Sequence, residues 1–190
     1  MRKIVVIIML VFCFSVGESR VRYGGEAGCG FSYGVGSPGF KKFMMHAVQG
    51  VRINKYVFAG FGLGLDMMSS NSRNDPSSIS PCWARAYAKL KGLYPLNDKV
   101  SLFCGGDIGA GAPFVMCQGD SDGITVDYRG GMYFAPEVGC SVKFWRRCGI
   151  TFAVGYYCYN MTRKILFNGE VIGSGKLYSG SVGFNVNFYW

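Results

Sequence analysis

The chain has 190 residues, of which 49% are hydrophobic, 16% are aromatic and only 16% are charged, and it contains 29 glycines. This composition excludes an intrinsically disordered chain and an ordinary cytosolic protein with a densely charged surface, and it favours strands over helices. The length suits one domain, either a soluble β-sandwich or a small closed barrel.

The formal net charge of +9 is spread along the chain in short clusters at Lys41–Lys42, Lys89–Lys91 and Arg146–Arg147. A nucleic-acid-binding domain normally concentrates its basic residues in one patch or stripe. We therefore interpret the charge as attraction to anionic lipid headgroups or phosphates, and we predict no nucleic-acid partner.

The first residues have the pattern of a secretory signal peptide. Arg2 and Lys3 precede an apolar run from Ile4 to Phe14, and the small residues Ser15 to Gly17 follow. The run is too short to cross a bilayer as a helix. Bulky Phe12 stands before Cys13, where a lipoprotein would need a small residue. We predict cleavage after Gly17, within two positions, which makes 1–17 a leader and 18–190 a single barrel domain.

Beyond the leader, apolar residues recur at every second position over segments of ten residues or more. From Tyr56 to Met67 the odd positions are all apolar, whereas the even positions from 60 to 66 are three glycines and Asp66. A period of two is typical of β-strands with one apolar face. No run in the mature chain approaches the eighteen apolar residues of a membrane helix.

The alternation predicts eight strands. The second is the least regular, because Met44, Met45 and His46 blur its register. The predicted strands are Val21–Tyr33, Phe43–Ile53, Tyr56–Met67, Cys82–Gly92, Val100–Gly111, Met132–Phe144, Cys148–Tyr159 and Leu177–Trp190.

Short and long connections alternate between these strands. The short links are Asn54–Lys55, Leu93–Lys99 and Trp145–Arg147, and the long links are Met68–Pro81, Ala112–Gly131 and Asn160–Lys176; Gly34–Lys42 is intermediate. This is typical of an up-and-down transmembrane barrel with periplasmic turns and extracellular loops. Asn168–Gly169 predicts a type I′ hairpin that extends strands seven and eight beyond the bilayer. Asp122–Gly123 is interpreted in the same way for strands five and six.

The polar face of the predicted strands distinguishes a membrane barrel from a soluble, lipocalin-like one. Glycine dominates this face, at positions 24, 28, 30, 60, 62, 64, 105, 109, 139 and 155. Such a face suits a narrow interior, and the charged residues among the glycines must pair there because an isolated buried charge is costly. The predicted interior ionic network consists of Glu26, Asp66, Arg85, Lys89, Asp107, Glu137 and Lys143, with Arg22 and Arg52 also facing inward.

The last strand carries Phe184, Val186, Phe188 and Trp190 in strict alternation with more polar residues. A final strand with a terminal aromatic resembles the signal read by the barrel-assembly machinery of the outer membrane. The alternative is an ordinary C-terminal edge strand.

The mature chain resembles the small outer-membrane β-barrel proteins common in Bacteroidetes. The resemblance rests on Tyr23–Gly28, His46–Gly50, Ala59–Gly64, Lys99–Ser101, Phe134–Gly139 and the aromatic terminus, and it covers nearly the whole mature chain. It implies an eight-stranded barrel in the outer membrane of a Gram-negative bacterium. These motifs are patterns of glycine and aromatic residues and include no catalytic signature. The many cysteines depart from the pattern.

Of the eight cysteines, Cys13 lies in the leader, which leaves seven. Cys29, Cys104 and Cys140 fall on apolar strand faces, and no CxxC pair has metal-ligand spacing. We interpret them as small lipid-facing residues. Cys82 and Cys104, on neighbouring strands, are one geometric option for a disulfide in an oxidising compartment.

Three patterns resemble functional sites, and each has a simpler interpretation. Gly60-x-Gly62-x-Gly64 lies inside a strand, where no helix follows to complete a nucleotide site. Asp120, Asp122 and Asp127 lack the closing glutamate of a calcium loop. His46, considered as a catalytic base, has no accompanying nucleophile motif. We therefore predict no enzyme activity, cofactor or metal.

Three functions remain open from the sequence. The first is a non-enzymatic surface anchor embedded in outer-membrane lipid. Its loops at Met68–Pro81, Ala112–Gly131 and Asn160–Lys176 contact extracellular partners that the sequence does not identify, or stiffen the envelope. The second is a narrow pore or solute-transfer barrel, which a plug of Glu26, Arg85, Lys89 and Glu137 would oppose. The third is a secreted soluble binding barrel.

Overall fold

The computed structural model describes residues 21–35, 40–70, 82–115, 124–167 and 170–190, and these form strands and turns. The predicted leader and the dipeptides Asn168–Gly169 and Asp122–Gly123 lie outside the described residues. No helix that could cross a bilayer occurs in the described part of the chain. The strands are β1 (Val21–Gly34), β2 (Phe40–Ile53), β3 (Val57–Ser70), β4 (Cys82–Pro95), β5 (Val100–Val115), β6 (Ile124–Arg129), β7 (Gly131–Lys143), β8 (Gly149–Phe167) and β9 (Glu170–Tyr189).

Eight of these strands close into an antiparallel barrel. The ring runs β1-β2-β3-β4-β5-β7-β8-β9, and it closes where β9 pairs with β1 from Glu26–Tyr189 to Gly34–Ser181. Closure leaves no edge strand in the ring. The predicted all-β, up-and-down, eight-stranded barrel is thus confirmed.

The strands continue into segments predicted to be loops. β8 and β9 pair from Gly149–Tyr189 to Phe167–Glu170, with one register irregularity at Ile165–Leu166. This hairpin extends well beyond the closed ring, as predicted. The described part of β5 runs to Val115, and β6 continues the line of β7 across Gly130 and pairs with β8. The hairpin expected at Asp122–Gly123 lies on residues that the structure does not describe.

Side chains alternate between the lumen and the outer surface. Phe61 is 79% exposed and Phe184 is 46% exposed on the outside, whereas Arg85 and Glu137 inside are each 3% exposed. Large aromatic residues share the lumen with the charges, including Trp83, Tyr87, Tyr133, Tyr157 and Tyr159. The predicted orientation, with the apolar face outward, is confirmed.

Tight turns join the strands at one end of the barrel, which we call the turn end. Asn54, between β2 and β3, has a φ of 59°, in the left-handed region that asparagine tolerates better than most residues. Between β4 and β5, Asn97 Oδ1 accepts hydrogen bonds from the N–H groups of Lys99, at 2.8 Å, and Val100, at 2.7 Å. Asparagine thus stabilises two of the turns, through the backbone conformation of Asn54 and through the side-chain hydrogen bonds of Asn97.

The structure contradicts the proposed Cys82–Cys104 disulfide. Cys82 pairs with Val115, whereas Cys104 pairs with Gly92, ten residues further along β4. About 33 Å of strand therefore separates the two cysteines, because a strand rises about 3.3 Å per residue. The two lie on neighbouring strands, but at opposite ends. The described cysteines are free thiols, and Cys29 and Cys104 are exposed on the outer surface.

Candidate functional site: the charged lumen

The lumen contains an equal number of buried acidic and basic side chains among the described residues. The carboxylates are Glu26, Asp66, Asp107 and Glu137, and the cations are Lys42, Arg85, Lys89 and Lys91. Four negative and four positive charges cancel formally. Balance is required here because an unpaired ion in a low-dielectric interior costs several kcal/mol.

Five of these residues form the lysine cluster: Glu26, Lys89, Lys91, Asp107 and Glu137. Lys89 Nζ lies 2.8 Å from Glu137 Oε1, 3.2 Å from Asp107 Oδ1 and 3.3 Å from Glu26 Oε1. Lys91 Nζ lies 2.6 Å from Glu26 Oε2 and 3.4 Å from Glu137 Oε1. Two ammonium groups thus hold three carboxylates from β1, β5 and β7 together.

Strand register explains how these groups meet. Lys89 on β4 is the direct cross-strand partner of Asp107 on β5. Gly105, also on β5, pairs with Lys91 on one side and with Glu137 on the other. Because Gly105 has no side chain, Lys91 can reach across β5 to Glu137.

A second set, the arginine cluster, consists of Lys42, Asp66, Arg85, Tyr133 and Tyr159. Arg85 Nη2 lies 3.4 Å from Asp66 Oδ1, and Arg85 Nη1 donates a hydrogen bond to the Tyr133 hydroxyl at 2.5 Å. The Tyr159 hydroxyl donates to Asp66 Oδ2. Lys42 Nζ lies 4.3 Å from the centroid of the Tyr159 ring, which gives a cation–π contact.

Glycine makes room for the bulky members of the lumen. A Cβ at Gly64 would collide with Arg85 Nε, and a Cβ at Gly62 would collide with the Tyr87 ring. Both glycines lie directly opposite the residue that they accommodate. The glycine-rich face of β3 is therefore the surface against which the β4 side chains pack.

The structure brings six of the seven residues of the predicted network into these clusters. The seventh needs correction, because Lys143 is exposed at the last position of β7. Arg22 is likewise exposed, and Arg52 is only half-buried. All three face inward but lie at strand ends, beyond the packed centre.

Sequence reasoning missed Lys91 and Lys42 as members of the clusters. Lys91 shares the odd-numbered face of β4 with Arg85 and Lys89, so the alternation itself was the available signal. Lys42 lies before the predicted start of the second strand at Phe43, whereas β2 begins at Phe40. Its signal, the alternation 42, 44, 46, 48, was obscured by the two methionines.

Beside the clusters, an open cavity of about 810 Å³ occupies the turn end of the barrel. We call it the turn-end vestibule. Its walls include Arg22, Arg52 and Lys143, and it reaches Glu26 and Lys91 of the lysine cluster. Water therefore enters one end of the barrel as far as the ionic network.

The other candidate residues form no metal or nucleotide site in the described structure. His46 is buried in the lumen, and neither ring nitrogen has a hydrogen-bond partner among the described residues. Gly60, Gly62 and Gly64 lie within β3. Asp120 and Asp122 lie outside the described residues. No group of three His, Cys, Asp or Glu side chains in the described ranges is placed to hold a metal ion.

The predicted assembly-signal residues all lie on the outer face of the barrel. Phe184 and Phe188 on β9 and the following Trp190 are exposed, and Val186 is half-buried. The Phe188 and Trp190 rings stack with centroids 6.2 Å apart. The arrangement forms an aromatic surface at the turn end of β9.

No protein-family model matches the sequence, and no curated protein matches it. Among solved structures, the chain is similar to Neisserial surface protein A (NspA), at 13% identity and a TM-score of 0.60 over 88% of this chain and 97% of that one. It is also similar to the outer membrane protein OprG from Pseudomonas aeruginosa (10% identity, TM-score 0.56, 86% of this chain and 95% of OprG) and to the outer membrane protein AlkL, solved in DMPC lipid bilayers (14% identity, TM-score 0.59, 89% and 90%). At these identities the similarity establishes a shared fold, the small eight-stranded outer-membrane barrel.

Proposed function

We propose that this protein is an integral outer-membrane barrel that serves as a closed, non-enzymatic anchor for the segments at its outer end. The outer surface supports a membrane environment. Large apolar side chains such as Phe61, Leu63, Ile108, Val138 and Phe184 are exposed around the ring. Soluble proteins rarely expose contiguous apolar patches larger than a few hundred Å². Contact with hydrocarbon accounts for this surface.

The orientation of the barrel in the membrane follows from its two unequal ends. Tight turns at the turn end suit the periplasm, and the segments 71–81 and 116–123 join strands at the opposite end, where the β8–β9 hairpin also projects. A signal peptide at 1–17 would deliver the chain to the periplasm. The aromatic face around Phe184 and Phe188 would then be accessible to the barrel-assembly machinery before insertion.

The observation that carries the anchor proposal is the filled, charge-balanced lumen. Lys42, Trp83, Tyr133 and Tyr157 are fully buried in it, together with both ion clusters. Eight strands enclose only enough space for side chains. A barrel packed in this way can display its outer segments without letting solutes through.

A soluble lipocalin-like barrel would need its apolar side chains inside, around a ligand. Here the lumen carries eight buried charges, and the apolar side chains point outward. We also propose, on the resemblance in the glycine and aromatic motifs, that the chain belongs to the small barrel proteins of Bacteroidetes. Identifying the encoding genome tests this placement.

The second candidate function is a narrow pore, which the open turn-end vestibule favours. Single-channel recording in planar bilayers separates the two functions. We expect no stepwise conductance from the purified, folded protein, while a porin recorded in parallel shows that the assay works. Reproducible steps that scale with salt concentration would reject the closed anchor in favour of the pore.

Membrane location is tested separately. Folded membrane barrels migrate differently on gels before and after boiling, so we expect heat-modifiable mobility in the outer-membrane fraction and extraction only by detergent. Recovery of the folded protein in the soluble periplasmic fraction would contradict an integral barrel.

A further inference from the structure

The turn-end vestibule is strongly cationic. Six basic side chains line it without an ion pair to any described carboxylate: Arg22, Arg52, Lys55, Lys143, Arg146 and Arg147. The acidic side chain in the lining is Glu26, which is already bound to Lys89 and Lys91. The main-chain carboxylate of Trp190 also borders the cavity, but the lining still carries more positive than negative charge, unlike the neutral lumen above it.

Two of these cations lie directly opposite each other in the barrel wall. Arg22 on β1 is the cross-strand partner of Arg52 on β2. Like charges in directly opposite positions destabilise a sheet. Arg52 is also held in position, because its guanidinium lies 5.4 Å from the centroid of the Tyr189 ring. The fold thus maintains a repulsive pair that an anion between the two groups would relieve.

The Arg146–Arg147 pair is placed at the cavity by a defined turn. The N–H groups of Phe144 and Trp145 both donate to the carbonyl of Cys148 at 3.2 Å. The N–H of Lys143 donates to the Lys99 carbonyl at 2.7 Å, which ties this turn to the neighbouring one. The cations from the β7–β8 turn therefore lie at the mouth on a hydrogen-bonded frame.

We propose that the turn-end vestibule binds a small multivalent oxyanion of the phosphate class, either a soluble phosphorylated compound or the phosphate group of a lipid. Guanidinium groups present a planar fork that matches phosphate oxygens in a bidentate geometry. The cavity volume of about 810 Å³ falls within the range of small-ligand sites, roughly 300–1,000 Å³. This site is independent of whether the lumen conducts.

Binding of inorganic pyrophosphate to the folded protein in non-ionic detergent, measured by isothermal titration calorimetry, tests the site. We expect saturable binding to the unmodified protein and an affinity about tenfold weaker in Arg22→Gln/Arg52→Gln, since 1.4 kcal/mol corresponds to a factor of ten. Lys99→Gln/Lys176→Gln removes the same charge from exposed lysines that do not line the cavity. This control should bind within about twofold of the unmodified protein.

Arg146→Gln/Arg147→Gln provides a second test in an exposed turn, in case the β1–β2 variant does not fold. It too should weaken binding, and heat-modifiable mobility verifies the folding of each variant. The absence of saturable binding, or an equal loss in the lysine control, would overturn the proposal.

Competition distinguishes the two sources of phosphate. Displacement of pyrophosphate by glycerol phosphate supports a soluble ligand, whereas displacement by dihexanoylphosphatidic acid alone, whose phosphomonoester is likewise multivalent, supports a lipid phosphate. Displacement by neither compound would contradict a phosphate site.

Discussion

Gly105 shows how a single position shapes the interior of this barrel. The residues opposite it on both sides, Lys91 and Glu137, bring their charges within 3.4 Å of each other across the strand. A side chain at this position would occupy the space between them. The glycine content of the inward face therefore sets how far charged side chains can reach across neighbouring strands.

The residue on which the lysine cluster depends most is Lys89, which lies within 3.3 Å of three carboxylates. Replacing Lys89 with Met leaves those carboxylates with Lys91 as the remaining cation of the cluster. We expect the free energy of unfolding to fall by about 3–5 kcal/mol, because removing one partner leaves uncompensated buried charge. Urea titration in lipid vesicles measures this loss.

Two further variants show whether the cause is charge. Adding Asp107→Asn to Lys89→Met removes the cross-strand carboxylate as well and should restore part of the lost stability. Lys99→Met removes an exposed lysine and should change stability by about 0.5 kcal/mol or less. A loss in Lys89→Met no larger than that in Lys99→Met would show that the cluster does not stabilise the barrel.

For single residues, the sequence predicts the face of the strand more accurately than it predicts the position along the barrel axis. The alternation placed Glu26, Asp66 and Arg85 inside, as the structure has them. It also placed Lys143 inside, although this residue lies at the mouth. A period of two determines the face of a strand, but the position along the barrel depends on where the packed centre begins, which is set by tertiary contacts.

The strands β8 and β9 each have two parts that differ in their strand partners and in their surroundings. Near the turn end they are members of the closed ring, and from about Tyr178 outward β9 pairs with β8 alone. In the ring part, outward residues such as Phe184 would contact hydrocarbon. In the projecting part, exposed residues such as Ile172, which lies at the irregularity opposite Ile165–Leu166, would contact water or headgroups.

This division predicts a position-dependent cost for a charge on β9. Phe184→Lys should lower the free energy of unfolding in vesicles by about 2–4 kcal/mol, the cost of a lysine on the lipid face near the bilayer midplane. Ile172→Lys, a matched apolar-to-lysine change on the same strand, should cost about 1 kcal/mol or less. Equal costs at the two positions would contradict a membrane belt around the ring.

The sequence predicted the elements with clear alternation and missed those without it. Val57 to Met67 and Cys82 to Gly92 are strands in nearly the predicted bounds. β6 was missed because Ile124 to Arg129 is short and lies next to turn-forming residues. Its partner, the outer half of β8, was expected from the Asn168–Gly169 hairpin signal, but the pairing of β6 with β8 is a tertiary contact that alternation along either segment does not predict.

At the scale of the whole molecule, the medium that surrounds the ring, water or lipid, determines how fast side chains on its outer face react. Cys29 is exposed on the outer surface, midway along β1, between Met45 and Val186 on the neighbouring strands. In a soluble barrel such a thiol would react readily. In a membrane barrel it faces hydrocarbon, where the reactive thiolate is disfavoured.

We compare two variants with one cysteine each: one retains Cys29 alone, and the other carries Lys99→Cys in the turn and no other cysteine. In vesicles, the Cys29 variant should react about tenfold more slowly with a charged maleimide. With an apolar maleimide, the difference between the reaction rates of the two variants should be smaller. Equal rates with the charged reagent would indicate that water, not lipid, surrounds the ring.

The ion pairs across the lumen also constrain the order in which the chain can acquire its native structure. Lys91 binds a carboxylate 65 residues earlier in the chain, and Lys89 binds one 48 residues later. The β4–β5 hairpin supplies Asp107 to Lys89 but no carboxylate to Lys91. Lys91 therefore keeps its hydration, and Lys89 part of its own, until both distant strands arrive. Dehydration of the centre therefore coincides with closure, and a partly assembled barrel retains a wet, charged middle that resists entry into hydrocarbon.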